Sequence, residues 1–171
     1  MSKADQHIDE KRYLITPRTL VFLFDDQNRV LLLKGAKNKT RWAGLFNGIG
    51  GHVERGEDIY EAAYRELREE AGIFEVNLNF CAQITVDVSD NLGVMIFVFK
   101  GEYLNENFTN SGEGTLSWVN LNAIDSLPVV EDLPTLIPRI AAYKPLFPVI
   151  IGMYTYDEHG NLISSFHEER S

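Results

Sequence analysis

Gly51-His-Val-Glu-Arg-Gly-Glu57, seven spacer residues, and then Arg65-Glu-Leu-Arg-Glu-Glu-Ala-Gly-Ile73 form the stretch that decides the fold of this chain. Ile59, Ala63, Leu67 and Ala71 recur every four residues, which predicts a helix with one buried flank. Gly72 ends it, since glycine enters the left-handed conformation without steric cost. At about 100° per residue, Glu66, Glu69 and Glu70 fall within an arc of about 100° beside that flank. Carboxylates crowded at these spacings repel one another and destabilise an isolated helix. A fold retains such a cluster most readily where a cation compensates it. Oxygen donors of this kind favour Mg²⁺ or Mn²⁺. Zinc is disfavoured, because His52 is the only histidine near the stretch and Cys81 is the only cysteine. The plain alternative is a charged, solvated helix face.

Immediately upstream, Leu45-Phe-Asn-Gly-Ile-Gly-Gly-His-Val-Glu-Arg-Gly56 places glycines at 48, 50, 51 and 56. Glycine permits close approach of the backbone to a ligand, so a carbonyl of this loop could join a metal shell. The same loop could also be purely structural. Its fixed distance from the three glutamates is what gives it weight.

The two segments together resemble the signature of the Nudix hydrolases: a Gly, five residues, a Glu, seven residues, then Arg-Glu-aliphatic-x-Glu-Glu-x-Gly-aliphatic. The resemblance implies an α+β protein of α/β/α layers, with a mixed sheet sandwiched between helices. It also implies hydrolysis of a phosphoanhydride in a nucleoside diphosphate linked to a further group, with a divalent metal and water. Carried over residue by residue, Glu66, Glu69 and Glu70 become metal ligands and Gly50 a carbonyl ligand. Arg65 becomes an ion-pair partner that orients a glutamate, and Glu57 a brace for the loop. Glu66 is the proposed general base, with Glu69 the alternative. The metal would neutralise the polyphosphate and acidify the attacking water.

Composition narrows the setting. The 171-residue length suits one domain with a sizeable core, and residues 1–12 are polar enough to read as a frayed terminus ahead of a domain over 13–171. The net charge of −9 argues against polymeric DNA or RNA as a partner. A nucleotide remains compatible, because bound metal reverses the local field. A single cysteine allows no intramolecular disulfide and fits a reducing cytoplasm; Cys81 lies in an apolar stretch and reads as core. No signal peptide or membrane-length apolar run is legible. Oligomeric state is not.

Along the chain, Thr19 to Phe24 and Val30 to Lys34 read as strands of a hairpin around Asp25-Asp-Gln-Asn28. Lys34 to Arg41 reads as a basic loop, either solvated surface or a phosphate contact, with Lys34 a candidate substrate-binding residue. Val76–Val88 and Val94–Lys100 follow as strands, then Leu116–Val119. Asp132 offers an N-cap to a helix from about Leu133 to Tyr143, which Pro138 should kink or weaken. Val149–Tyr156 and Leu162–Phe166 flank Asp157-Glu-His-Gly-Asn161 as a last hairpin.

Several features resemble the MutT-like sanitisers that hydrolyse 8-oxo-dGTP. Trp42 ahead of Asn47-Gly-Ile-Gly-Gly51 resembles their tryptophan, asparagine and glycine run. Glu113, five residues before Trp118-Val119, matches an additional metal-binding glutamate, and Thr19-Leu-Val21 a strand lining the base pocket. Glu131-Asp132 stands where they carry two aspartates gripping the purine edge, and Phe147–Glu169 parallels their closing segment. Two positions depart: Val129 replaces a tryptophan that stacks on the base, and Glu131 replaces an aspartate. Trp42, Phe46 or Phe22 would have to supply the aromatic surface. Asn47 reads either as a purine-edge contact or as a turn residue before Gly48, and Glu131-Asp132 equally as a helix cap. The resemblance thus implies a small-molecule nucleotide partner, with oxidised purine triphosphates ahead of ADP-ribose, a dinucleotide or an unmodified dNTP. A domain that only senses a nucleotide is a further alternative, one in which metal-binding glutamates are usually lost.

Overall fold

The computed structural model describes residues 2, 5, 9, 11–38 and 40–167. Most of the frayed-terminus expectation, Lys39 of the basic loop, and the last residues of the closing segment lie outside these.

The first strand, β1 (Leu14–Phe24), carries its alternation in both directions. Val21 and Leu23 point into one core, with Leu31, Leu33, Ile49, Ala63, Leu67 and Phe99. Leu20, Phe22 and Phe24 point into the other, with Val30, Leu32, Ile84, Leu133, Leu136 and Ile137. A strand buried on both faces needs near-continuous apolar residues, which is what Leu20 to Phe24 supply. The helix α1 (Ile59–Ala71) covers the first face and α2 (Leu133–Ala142) the second. The layered α/β/α arrangement expected from the sequence is therefore present.

β2 (Arg29–Gly35), β3 (Phe46–Asn47), β4 (Leu78–Ser89), β5 (Leu92–Glu102), β6 (Gly114–Asn120), β7 (Ile150–Tyr156) and β8 (Leu162–His167) complete one mixed sheet, ordered β3-β2-β1-β5-β4-β7-β8, with β6 also pairing with β2. β1 runs parallel to β5 along its whole length, from Leu14↔Leu92 to Phe24↔Glu102. With β2 it shares only Leu23↔Leu31 and Phe24↔Val30, next to the hairpin turn. Beyond that the two strands part. β2 pairs with β6 instead, from Arg29↔Asn120 to Gly35↔Gly114, and the glycine-rich loop fills the opening. Bridges Val21↔Ile49 and Arg18↔His52 fasten the loop to β1, through Val21 N–H to Ile49 O (2.7 Å) and Thr19 N–H to Gly51 O (2.8 Å). This split in the sheet positions the site.

α1 carries the predicted apolar period and ends as predicted; the sequence pattern did not specify its start. Asp58 accepts from the amides of Tyr60 and Glu61 while Glu61 accepts from that of Asp58, a complete capping box. Gly72 closes the helix in the left-handed conformation at φ 65°. Other expectations need correction. Asp132 precedes α2 but makes no side-chain cap; its helical backbone (φ −81°, ψ −20°) turns the carboxyl away from the helix amides. Pro138 lies within α2, where the sequence places it, and Lys100 Nζ bonds the carbonyls of Ala141 and Tyr143 at the far end (2.6 and 2.8 Å). Lys34 lies inside strand β2, which runs on through Gly35, so the basic loop begins later than the sequence suggests.

Candidate active site

Arg65 is the hub. Its guanidinium holds Glu57 with two bonds, Nε to Oε2 at 3.1 Å and Nη2 to Oε1 at 2.9 Å. Nη2 also donates to His52 O (2.9 Å), and Nη1 donates to Glu66 Oε1 (2.7 Å) and Glu69 Oε2 (3.1 Å). These bonds, led by the pair with Glu57, raise its already high pKa further. Only a planar fork serves so many acceptors at once. Glu57 in turn accepts from the Glu54 amide (2.6 Å), which ties the loop before α1 to the middle of the helix.

Glu66 and Glu70 project from the buried side of α1 onto the glycine loop. Glu70 Oε2 accepts from the Gly50 amide at 3.1 Å. The Glu66 carboxylate lies so close to Gly51 that a Cβ there would collide with Oε1. Gly50 is equally constrained: at φ 157° a Cβ would collide with the Thr19 carbonyl. The glycines here let the loop backbone lie against Glu66 and the Thr19 carbonyl of the protein itself. Burial, above all, pushes the Glu66 pKa upward, against the opposing pull of Arg65.

The three glutamates do not meet as a ready cage. Among the described residues no group of three Asp, Glu, His or Cys side chains is poised to hold a metal ion. Glu66 and Glu70 reach the loop, while Glu69 stays on the exposed side of α1, held by Arg65. Mutual repulsion and the attraction of Arg65 account for this spread. The donor set nonetheless fits a hard divalent cation, because two carboxylates approach one stretch of backbone and every donor is oxygen. Glu113 lies on the turn before β6, where its carbonyl accepts from Ala36 N–H (2.9 Å) and its amide donates to Ser111 Oγ (3.2 Å). That segment is anchored to the end of α1 through Thr109 N–H to Ala71 O (2.9 Å).

The residues expected to meet the base fall into two groups. Thr19 belongs with the glycine loop: it is buried, and its Oγ1 has no partner among the described residues. Asn47 lies opposite Leu33, and its Oδ1 accepts from the Gly48 amide (2.8 Å), the turn role. Asp132, Phe46 and Val129 belong with the α2 face. Phe46 and Val129 are bridged, with Phe46 N–H to Pro128 O (2.8 Å) and Val130 N–H to Phe46 O (3.0 Å). Phe46 is half-buried beneath Lys34, whose Nζ stands 5.3 Å from the ring centroid. Phe22 is wholly buried and Trp42 protrudes from a loop, which leaves Phe46 as the placed aromatic. Glu131 accepts from Leu162 N–H (3.1 Å) and so ties down β8. Burial raises the Asp132 pKa to about 6.

Two features were missed by sequence reasoning. Arg18 donates from Nε to His52 Nε2 (3.1 Å), and burial followed by the charges of Arg18 and Arg41 keeps His52 neutral-leaning. These basic groups flank the glycine loop. A trace of this was legible, since Arg18 directly precedes the Thr19-Leu-Val21 strand. Tyr154 is the other: it is 3% exposed on β7 and faces Asp132.

A NUDIX domain matches residues 14–140. The chain belongs to the Nudix family. Its relatives include the uncharacterized Nudix hydrolase YvcI of Bacillus subtilis, 33% identical over 122 residues that span 68% of this chain and 73% of that one. The oxidized purine nucleoside triphosphate hydrolase of Mus musculus is 35% identical over 107 residues, 62% of this chain and 67% of that one. In structure the Nudix fold here is similar to a MutT protein from Bacillus halodurans, with a TM-score of 0.73 at 23% identity over 91% of this chain and 99% of that one. As a MutT-like Nudix hydrolase the protein acts on pyrophosphate bonds, and the family works with divalent cations. Among the described residues no helix is long and apolar enough to cross a membrane.

Proposed function

We propose that this Nudix hydrolase is a Mg²⁺-dependent nucleoside triphosphate pyrophosphohydrolase that acts on oxidised purine nucleotides of the 8-oxo-dGTP class, releasing a monophosphate and pyrophosphate. Residues 13–171 act in this reading as one domain, and the single buried cysteine is in keeping with a cytoplasmic enzyme. The observation that carries the substrate reading is Asp132. It heads α2 without capping it, so its half-buried carboxyl stays available to a ligand. Near pH 6 both its protonated and ionised forms are populated. An 8-oxoguanine edge carries an N–H where guanine carries a lone pair, and a carboxylate accepts from the first and repels the second. The mouse relative, named for oxidised purine triphosphates, supports the same choice. Phe46 offers a face for the base where Val129 offers none.

The remaining groups serve the phosphates. Glu66, Glu69, Glu70 and the Gly50 carbonyl would hold Mg²⁺, or Mn²⁺, with Glu113 as a further ligand. The bound ion would neutralise the polyphosphate and lower the pKa of the attacking water. Arg65 fixes Glu66 Oε1, so that this carboxylate is oriented to take the proton from water; Glu69 is the alternative base. Arg18, Lys34 and Arg41 attract the triphosphate, and Thr19 and Asn47 contribute a hydroxyl and an amide beside the loop. Glu131 acts chiefly as the tie to β8.

The test is a panel of 8-oxo-dGTP, dGTP and ADP-ribose with Mg²⁺, with products separated by chromatography. The expected result is monophosphate and pyrophosphate, with kcat/KM highest for 8-oxo-dGTP. Equal rates on dGTP, or preference for ADP-ribose, would overturn the substrate reading while leaving the family assignment intact.

A further inference from the structure

We propose that Tyr154 is a positioning residue for Asp132, and that its hydroxyl fixes the carboxyl proposed above to read the nucleotide base. This deepens the oxidised-purine reading and rests on it. Tyr154 Oη is buried and completes no hydrogen bond with the described residues. A buried hydroxyl left without a partner costs roughly 1–3 kcal/mol, so such a group calls for a ligand or a neighbour that rotates to meet it. The neighbour at hand is the Asp132 carboxyl, itself not engaged by the helix it heads.

Three contacts hold the tyrosine there. Glu131, adjacent to Asp132, accepts from the first amide of β8 (3.1 Å). Tyr154 packs edge-on against Phe166 of β8, with ring centroids 6.2 Å apart. Arg139 of α2 lies over Phe166 at 4.2 Å. The C-terminal hairpin is thereby clasped to both ends of the segment that carries Asp132, so the carboxyl has a donor held in place beside it before any nucleotide binds. The charged groups facing the pair are Glu131, which disfavours ionisation of Asp132, and Arg139, which favours ionisation of Tyr154. The Tyr154 hydroxyl opposes burial by stabilising the Asp132 carboxylate.

Removing the hydroxyl alone gives the test. In Tyr154→Phe the ring packing persists. KM for 8-oxo-dGTP at pH 7.5 should rise about tenfold, the size of one lost hydrogen bond to a charged group, while kcat stays within about twofold, because the metal-binding glutamates are untouched. The Asp132 carboxyl resonance, followed by ¹³C NMR without nucleotide, should titrate at higher pH than in wild type. In an Asp132→Asn background the same substitution should leave KM unchanged. An unaltered Asp132 titration in Tyr154→Phe, or an equal KM effect in the Asp132→Asn background, overturns the proposal whichever nucleotide is hydrolysed. A wild type without oxidised-base preference overturns the substrate reading instead, and the NMR titration and the KM cycle on the nucleotide turned over fastest still decide the role of Tyr154.

Discussion

Gly51 shows how little room this site leaves. A Cβ there would collide with Glu66 Oε1 and so push the carboxylate off the loop. Misplacing a reacting group by about 1 Å can cost 10²-fold. Gly51→Ala should therefore lower kcat by about 10- to 100-fold with a far-ultraviolet dichroism spectrum like that of wild type. Glu69 behaves differently, because it is solvent-exposed and held by Arg65. Glu69→Gln should cost at least about 10²-fold in turnover if this carboxylate helps hold the cation, without loss of stability, since carboxylate repulsion is relieved. Near-normal turnover at saturating Mg²⁺ would remove Glu69 from the ligand set. Asp132 yields a pH effect. Its folded-state pKa lies near 6, above the usual carboxylate value, so its contribution to stability is complete below the unfolded pKa and is lost as pH rises through about 6. Chemical denaturation between pH 4 and 7 should show this decline in wild type and a shallower one in Asp132→Asn.

At the level of elements, α1 was legible almost to the residue. Its apolar period and its stop at Gly72 are local signals, written in residues that act on their own backbone, while the cap at Asp58 is equally local but went unread. Gly72→Ala tests the stop. The left-handed backbone and a Cβ only 2.5 Å from Thr109 Oγ1 both oppose alanine, and the cost should be about 1–2 kcal/mol in urea unfolding. The glutamates of the site were legible for the same reason, lying on that helix. Less local features escaped. The pairing of Phe46 with Val129 joins segments over eighty residues apart, and no periodicity encodes such a partner. The cap expected from Asp132 failed because a helical backbone at that residue turns the side chain elsewhere. Tyr154 was hidden because an alternating strand does not say which of its buried residues bears a hydroxyl facing another element.

For the molecule as a whole, the loop and the helix that make up the site are fastened by the protein alone: backbone bonds hold the glycine loop to β1, and one apolar core packs Ile49 of that loop with Ala63 and Leu67 of α1. Neither depends on the cation for its packing. Chelation with EDTA should abolish hydrolysis yet shift the melting temperature by only a few degrees, as measured by calorimetry, because the stabilisation from a bound ion scales only with the logarithm of its concentration. A loss of tertiary structure on chelation would contradict this independence. The partition between the cores has its own consequence in time. Leu20 to Phe24 belong to both apolar clusters by turns, so no amide in that run is released to solvent unless both helical layers lift away. Deuterium should enter those amides last, at a rate set by global unfolding, while the exposed turns around Asn91 and Gly160 exchange at once.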